Sequence, residues 1–146
     1  QRQMCIRDRG GTMQLIPAVA ALVCDGLFER HPKLKVAIVE SGAGYVRYLM
    51  DRLDEKYERF KKTSCLSRPP SEYIRENFWF VMDPSEASID AQCDLVGEEK
   101  FLWGSDYPHV DSHMTAMQEV NEALAPMSPD RRKHVMGENA RALFQL

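Results

Sequence analysis

Phe101-Leu102-Trp103-Gly104-Ser105-Asp106-Tyr107-Pro108-His109 settles the architecture of this chain. A short apolar run stops at Gly-Ser and presents a carboxylate. A proline two residues later prevents the strand from continuing. An α/β chain displays an acid in this way at the carboxyl end of a buried strand. Two other stretches repeat the arrangement. Residues 34–39 are a β-branched apolar run fit for a buried parallel strand, followed by Glu40 and the tight loop Ser41-Gly42-Ala43-Gly44. Residues 77–82 form another strand, ending at Asp83-Pro84.

Around these strands the apolar period becomes helical. Within 11–30, Leu15, Ala18, Val19, Leu22, Val23 and Leu27 recur at helical spacing, and His31-Pro32-Lys33 is the turn that follows. From Val46 to Phe60, Leu49, Met50, Leu53 and Tyr57 trace one face, while Arg47, Asp51, Asp54, Glu55 and Glu58 line the other. Pro69-Pro70 marks a loop, and 71–76 reads as a short helical turn. A helix over 85–96 closes at Gly97 as its C′ residue. Asp111 or Ser112 caps a helix running to Leu124. Ser128-Pro129-Asp130 opens the last helix with a cap, a first-turn proline and a first-turn acid. Strands alternating with helices imply right-handed βαβ units and a parallel sheet. A whole (β/α)8 barrel takes about 250 residues, and this chain has 146. The reading is therefore α/β: the C-terminal part of a TIM barrel, about three βα units plus terminal helices.

Composition narrows the partners. A net charge of -3 offers no basic patch for phosphates, so nucleic acid is not expected. The apolar run 15–24 behind Arg7 and Arg9 mimics a signal peptide. It holds Pro17, is too short to span a membrane, and leads straight into Asp25-Gly26-Leu27-Phe28, as a buried helix would. Cys5, Cys24, Cys65 and Cys93 form no CxxC pair and are read as reduced thiols of a cytoplasmic protein. Residues 1–9 (Gln1-Arg2-Gln3-Met4-Cys5-Ile6-Arg7-Asp8-Arg9) resemble the translation of a transposon-type sequencing adapter. On that reading they are non-native, and 10–146 is a partial barrel domain.

All three strand-end acids, Glu40, Asp83 and Asp106, would share the catalytic face of a barrel. Asp83-Pro84 is already explained as turn chemistry. Gly104-Ser105-Asp106-Tyr107-Pro108 closely resembles the last-strand motif of the metal-dependent amidohydrolase-2 family, whose members resemble aminocarboxymuconate semialdehyde decarboxylase. Residues 28–36 resemble that family's lead-in to its sixth strand, and Gly137-Glu138-Asn139-Ala140-Arg141 its terminal helix. The resemblance implies that Asp106 is a metal ligand, for zinc first and manganese second. Its remaining ligands, a His-x-His pair and another histidine, lie on strands absent from this chain. It further implies carboxy-lyase (decarboxylase) or hydrolase chemistry on small unsaturated or aromatic carboxylic acids, and a homodimer among the expected assemblies of the parent. Glu40 stands where many members carry an acid/base histidine. A carboxylate there can still carry a proton if its pKa is raised, or it can be structural. His109, just past Asp106, is the candidate substrate contact. His113, four residues on, reads as part of a solvated helix turn, and His31 and His134 as structural. Two readings of other classes stand beside this one: a truncated chain without activity, its outer strands exposing unpaired edges, and a small α/β binding module. The latter lacks a phosphate-loop fingerprint.

Overall fold

The computed structural model describes residues 2–108 and 114–146, with backbone alone at 2–9 and 11. The chain divides into two compact units. One comprises the residues up to 36 together with 47–78, the other 37–46 with 79–146.

The first unit is helical. α1 (Arg2–Cys24) carries Pro17 inside it, and its Val19 and Val23 are buried. The expected single helix over 11–30 is broken. The N–H of Gly26 turns back to Val23 O at 3.0 Å, its φ of 70° is left-handed, and α2 (Leu27–Arg30) starts anew. Only glycine takes that conformation at no steric cost. Phe28 of α2 packs edge-on to Phe78 with ring centroids 5.1 Å apart. α3 (Val46–Phe60) runs over the expected residues, and the expected turn at 71–76 is a full helix, α4 (Pro70–Asn77), with proline in its first turn. Glu29 of α2 accepts the Ser67 N–H at 2.6 Å and the Tyr73 hydroxyl. Arg68 lies over the Tyr73 ring, 4.3 Å from its centroid.

The sheet has the order β1 (Val36–Ile38), β2 (Phe78–Met82), β3 (Phe101–Trp103). β2 and β3 are parallel, with Phe80 opposite Phe101 and Met82 opposite Trp103. Phe78, Phe80 and Met82 are buried while Trp79 and Val81 are half-buried, the period-two alternation of a strand with one face more covered than the other. β1 is shorter than the sequence implies. The carbonyl of Leu34 accepts from Asn77 Nδ2 at 2.8 Å rather than joining a ladder, and Val39 is exposed.

In the second unit α5 (Ile89–Val96) begins later than expected. Residues 83–88 are spent in turns, with Glu86 N–H on Asp83 O at 3.1 Å and Ile89 N–H on Glu86 O at 3.4 Å. Gly97 does not make the left-handed cap expected of it. Its φ of 130° and ψ of 126° send the chain through a 3₁₀ turn (Glu98–Lys100) directly into β3. α6 (Ala116–Ala123) follows; the expected caps Asp111 and Ser112 lie outside the described residues. α7 (Pro129–Lys133) opens as read, its Ser128 Oγ accepting the Arg131 N–H at 3.3 Å. A wide π-type turn (His134–Glu138) joins it to α8 (Asn139–Phe144). Arg131 binds Asp90 (2.7 Å), Asp94 (2.6 Å) and Glu98 (3.1 Å). Buried Asn139 donates from Nδ2 to the carbonyls of Glu98 (2.7 Å) and Phe101 (2.8 Å). These contacts seat the last helix against the entry to β3.

Candidate functional site

Because β2 and β3 run parallel and in register, their carboxyl ends open at the same edge. Asp83 follows β2 directly, and Asp106 lies three residues past β3. Glu40 lies two residues past β1. Glu40 and Asp106 both sit at left-handed φ, 60° and 55°. For a residue with a Cβ this conformation costs roughly 1–2 kcal/mol. Such strain gathers at functional sites, where the surroundings hold a side chain in a required place. The Tyr107–Pro108 bond is cis.

Asp83 and Asp106 interact. The surrounding protein raises the carboxyl pKa of Asp83, and the charge of Asp106 raises it further. Two oxygen donors that repel one another suit a divalent cation, whose charge reverses the penalty. The fit is partial. Among the described residues no group of three or more His, Cys, Asp or Glu side chains converges on one point, so these two acids could at most contribute to a coordination sphere and could not complete one.

The turn after Glu40 is built around another acid. Glu86 accepts the Ala43 N–H on both oxygens, at 3.0 and 2.9 Å, and the Gly44 N–H on Oε1. It also reaches back to the Asp83 N–H at 3.4 Å. Buried Gln92 donates to the Gly44 carbonyl at 2.9 Å. Burial raises the pKa of Glu86, and the Ala43 and Gly44 N–H groups oppose that rise by stabilising the carboxylate. The glycines make room for this. Gly42 has φ 63°, and a Cβ there would lie 3.2 Å from Asp83 Oδ2. A Cβ on Gly44 would meet Glu86 Oε1 at 2.8 Å.

Of the residues singled out from the sequence, Asp83 and Asp106 both follow strand ends and the charge of Asp106 bears on Asp83, while Glu40 stands exposed past the end of β1. His109 and His113 lie outside the described residues. His134 is a partner of Glu98 at 3.1 Å, as a structural role requires. Trp79 carries Lys100 over its ring at 4.3 Å, and the Trp103 indole N–H is buried with no hydrogen-bond partner among the described residues. Glu86 was not foreseen. Its local signal was present: Asp83-Pro84-Ser85-Glu86 has the spacing by which a third helical residue reaches back to the cap N–H. That spacing says nothing of the grip on residues 43 and 44.

The sequence profile of a family described as Amidohydrolase matches residues 10–146. Among curated proteins, a 2-amino-3-carboxymuconate-6-semialdehyde decarboxylase from Dictyostelium discoideum is 25% identical over 126 residues, 84% of this chain and 34% of the relative. A gamma-resorcylate decarboxylase from a Polaromonas species is 29% identical over 130 residues, 86% of this chain and 38% of the relative. Among solved structures, an amidohydrolase from Mycobacterium avium subsp. paratuberculosis superposes with a TM-score of 0.81 at 26% identity, over 90% of this chain and 33% of that one. A dihydroxybenzoic acid decarboxylase from Polaromonas, solved with bound manganese and an inhibitor, superposes with a TM-score of 0.73 at 22% identity, over 92% of this chain and 41% of that one. The chain thus spans between a third and two fifths of the length of these proteins.

Proposed function

The chain belongs to the amidohydrolase family, and on that basis we propose that it forms the carboxyl-terminal three βα units of a (β/α)8 barrel carboxy-lyase. Its substrate is a small aromatic or unsaturated carboxylic acid. Relatives named as decarboxylases of such acids support this reading. The observation that carries it is the Asp106 carboxylate, set at left-handed φ beyond β3 and within electrostatic reach of Asp83.

Asp106 is the residue to hold a divalent metal, zinc or manganese, with the other ligands supplied from outside this chain. A metal there would polarise substrate oxygens as a Lewis acid. The chain's own part is proton handling. When the carbon–carboxylate bond breaks, CO2 departs with its two oxygens, the electron pair stays on the substrate carbon, and a proton takes the vacated position. Glu40, exposed at the end of β1, is the group we assign to carry that proton. His109 follows Asp106 in sequence and is assigned to substrate contact. With Cys24, Cys65 and Cys93 free thiols, we place the protein in the cytoplasm.

The test is the release of labelled CO2 from carboxyl-13C dihydroxybenzoate by protein expressed from the complete reading frame and loaded with Zn2+ or Mn2+. Asp106→Asn weakens the binding of metal and abolishes the release. Glu40→Gln keeps the metal and lowers the rate by about 10²–10⁴-fold, the usual worth of a positioned proton carrier. Release that survives Asp106→Asn, or solvent oxygen entering an ester substrate without any CO2, would overturn the assignment.

A further inference from the structure

Glu40 takes a conformation that residues other than glycine avoid. The turn that follows it is fixed from the far side. Glu86 caps two successive N–H groups of that turn, at Ala43 and Gly44, and Gln92 Nε2 closes on the Gly44 carbonyl at 2.9 Å. Together they bind the N–H groups of Ala43 and Gly44 and the carbonyl of Gly44, three and four residues after Glu40. Hydrogen bonds from N–H groups to a carboxylate are about twice as strong as neutral ones; the one at Ala43 is partly buried and the one at Gly44 is exposed. Ser41, Gly42 and Ala43 are themselves buried, so the turn cannot shift without breaking this packing. Glu86 also anchors itself to its own turn through the Asp83 N–H at 3.4 Å. The end of β1 is thereby tied to the end of β2 by one side chain.

We infer that Glu86 is the positioning residue of this site: its carboxylate locks the 41–44 turn and so fixes Glu40 in the left-handed conformation from which it faces substrate. The part concerning substrate rests on the proton-carrier role proposed for Glu40; the locking of the turn does not. Glu86 itself touches no reacting atom. The site's geometry requires small residues around it, since a Cβ on Gly44 would displace Glu86 Oε1. Substitution of that glycine should therefore release the turn even with Glu86 intact.

The experiment is nuclear magnetic resonance on the full chain, comparing Glu86→Ala, Glu86→Gln and Gly44→Ala. In Glu86→Ala and in Gly44→Ala, amide exchange at residue 43 speeds up by about tenfold or more, the loss expected when a charge-assisted hydrogen bond is removed. The Glu40 Cα and Cβ resonances move from left-handed toward extended values in the same two variants. Exchange at Phe101 and Leu102 of β3 is unchanged. Glu86→Gln, which keeps an acceptor oxygen in place, recovers part of both effects. Unmoved Glu40 resonances in both Glu86→Ala and Gly44→Ala would overturn the inference, and so would a uniform acceleration that includes β3, which marks general destabilisation. If Glu40 moves as expected but labelled CO2 is never released by the unsubstituted protein, the positioning stands and the decarboxylase reading falls.

Discussion

Two acids at positive φ set the terms at the scale of single residues. Glu40 (φ 60°) and Asp106 (φ 55°) each carry a cost that glycine would avoid. Allowing for glycine's greater freedom in the unfolded chain, Glu40→Gly and Asp106→Gly should each stabilise the fold by about 0.5–1 kcal/mol. Alanine at either position should give no such gain, because its Cβ meets the same backbone. Thermal melts of the four variants check this, and Mn2+ titration of Asp106→Gly should show weakened binding. A glycine variant no more stable than its alanine counterpart would mean that the backbone there is not strained. The place of Asp106 just past β3 was legible in the sequence because a strand, Gly-Ser and a proline frame it locally. Its left-handed conformation was not legible, since a residue with a Cβ ordinarily avoids it.

Among the elements, α2 shows how a four-residue helix is kept in place. Glu29 accepts from the Tyr73 hydroxyl and the Ser67 N–H. The Tyr73 hydrogen bond first, and that from Ser67 next, lower the Glu29 pKa from the ordinary 4.5 to about 2. A carboxylate whose pKa is lower in the folded state adds stability that is complete above the unfolded pKa and lost as pH falls through the folded one. The window is therefore between pH 4.5 and about 2. Acid titration followed by circular dichroism should show a shallower loss of stability in that window for Glu29→Gln than for the unsubstituted chain; identical slopes would exclude the contribution. The helices with a clear amphipathic period were legible: α3 occupies the residues its pattern marks. The break between α1 and α2 was signalled only by Asp25-Gly26, a turn pair hidden inside a continuing apolar period. β1 was over-read because Asn77 takes the Leu34 carbonyl, a contact across 43 residues that no window along the chain can contain.

For the molecule as a whole, alternation of strand and helix was enough to foresee a parallel α/β arrangement, and the parallel pairing of β2 with β3 agrees with it. In the three-stranded sheet, β1 and β3 are the outer strands. Edges of this kind template further pairing unless something covers them. The chain expressed by itself should therefore associate in a concentration-dependent way, read by light scattering coupled to gel filtration. A monomer at every concentration would show that its edges are capped. What the sequence could not disclose at this scale was the tie between strand ends, because Glu86 reaches residues 43 and 44 through space rather than along a repeat.

The wide turn at 134–138 has a bearing on how this chain tolerates changes of length. Arg131 and Asn139 are eight residues apart, which in a regular α-helix puts them about 80° apart around the axis. A π-type turn absorbs one residue, so the pair behaves as if seven apart and falls within about 20° of alignment. That alignment lets one helix grip α5 through Arg131 and the entry of β3 through Asn139. Loss of one codon inside 134–138, such as that of Gly137, would leave a plain helix with both grips in register. A codon gained there would carry Asn139 off its carbonyls. Deletions and insertions, usually equal hazards within a helix, are unequal here.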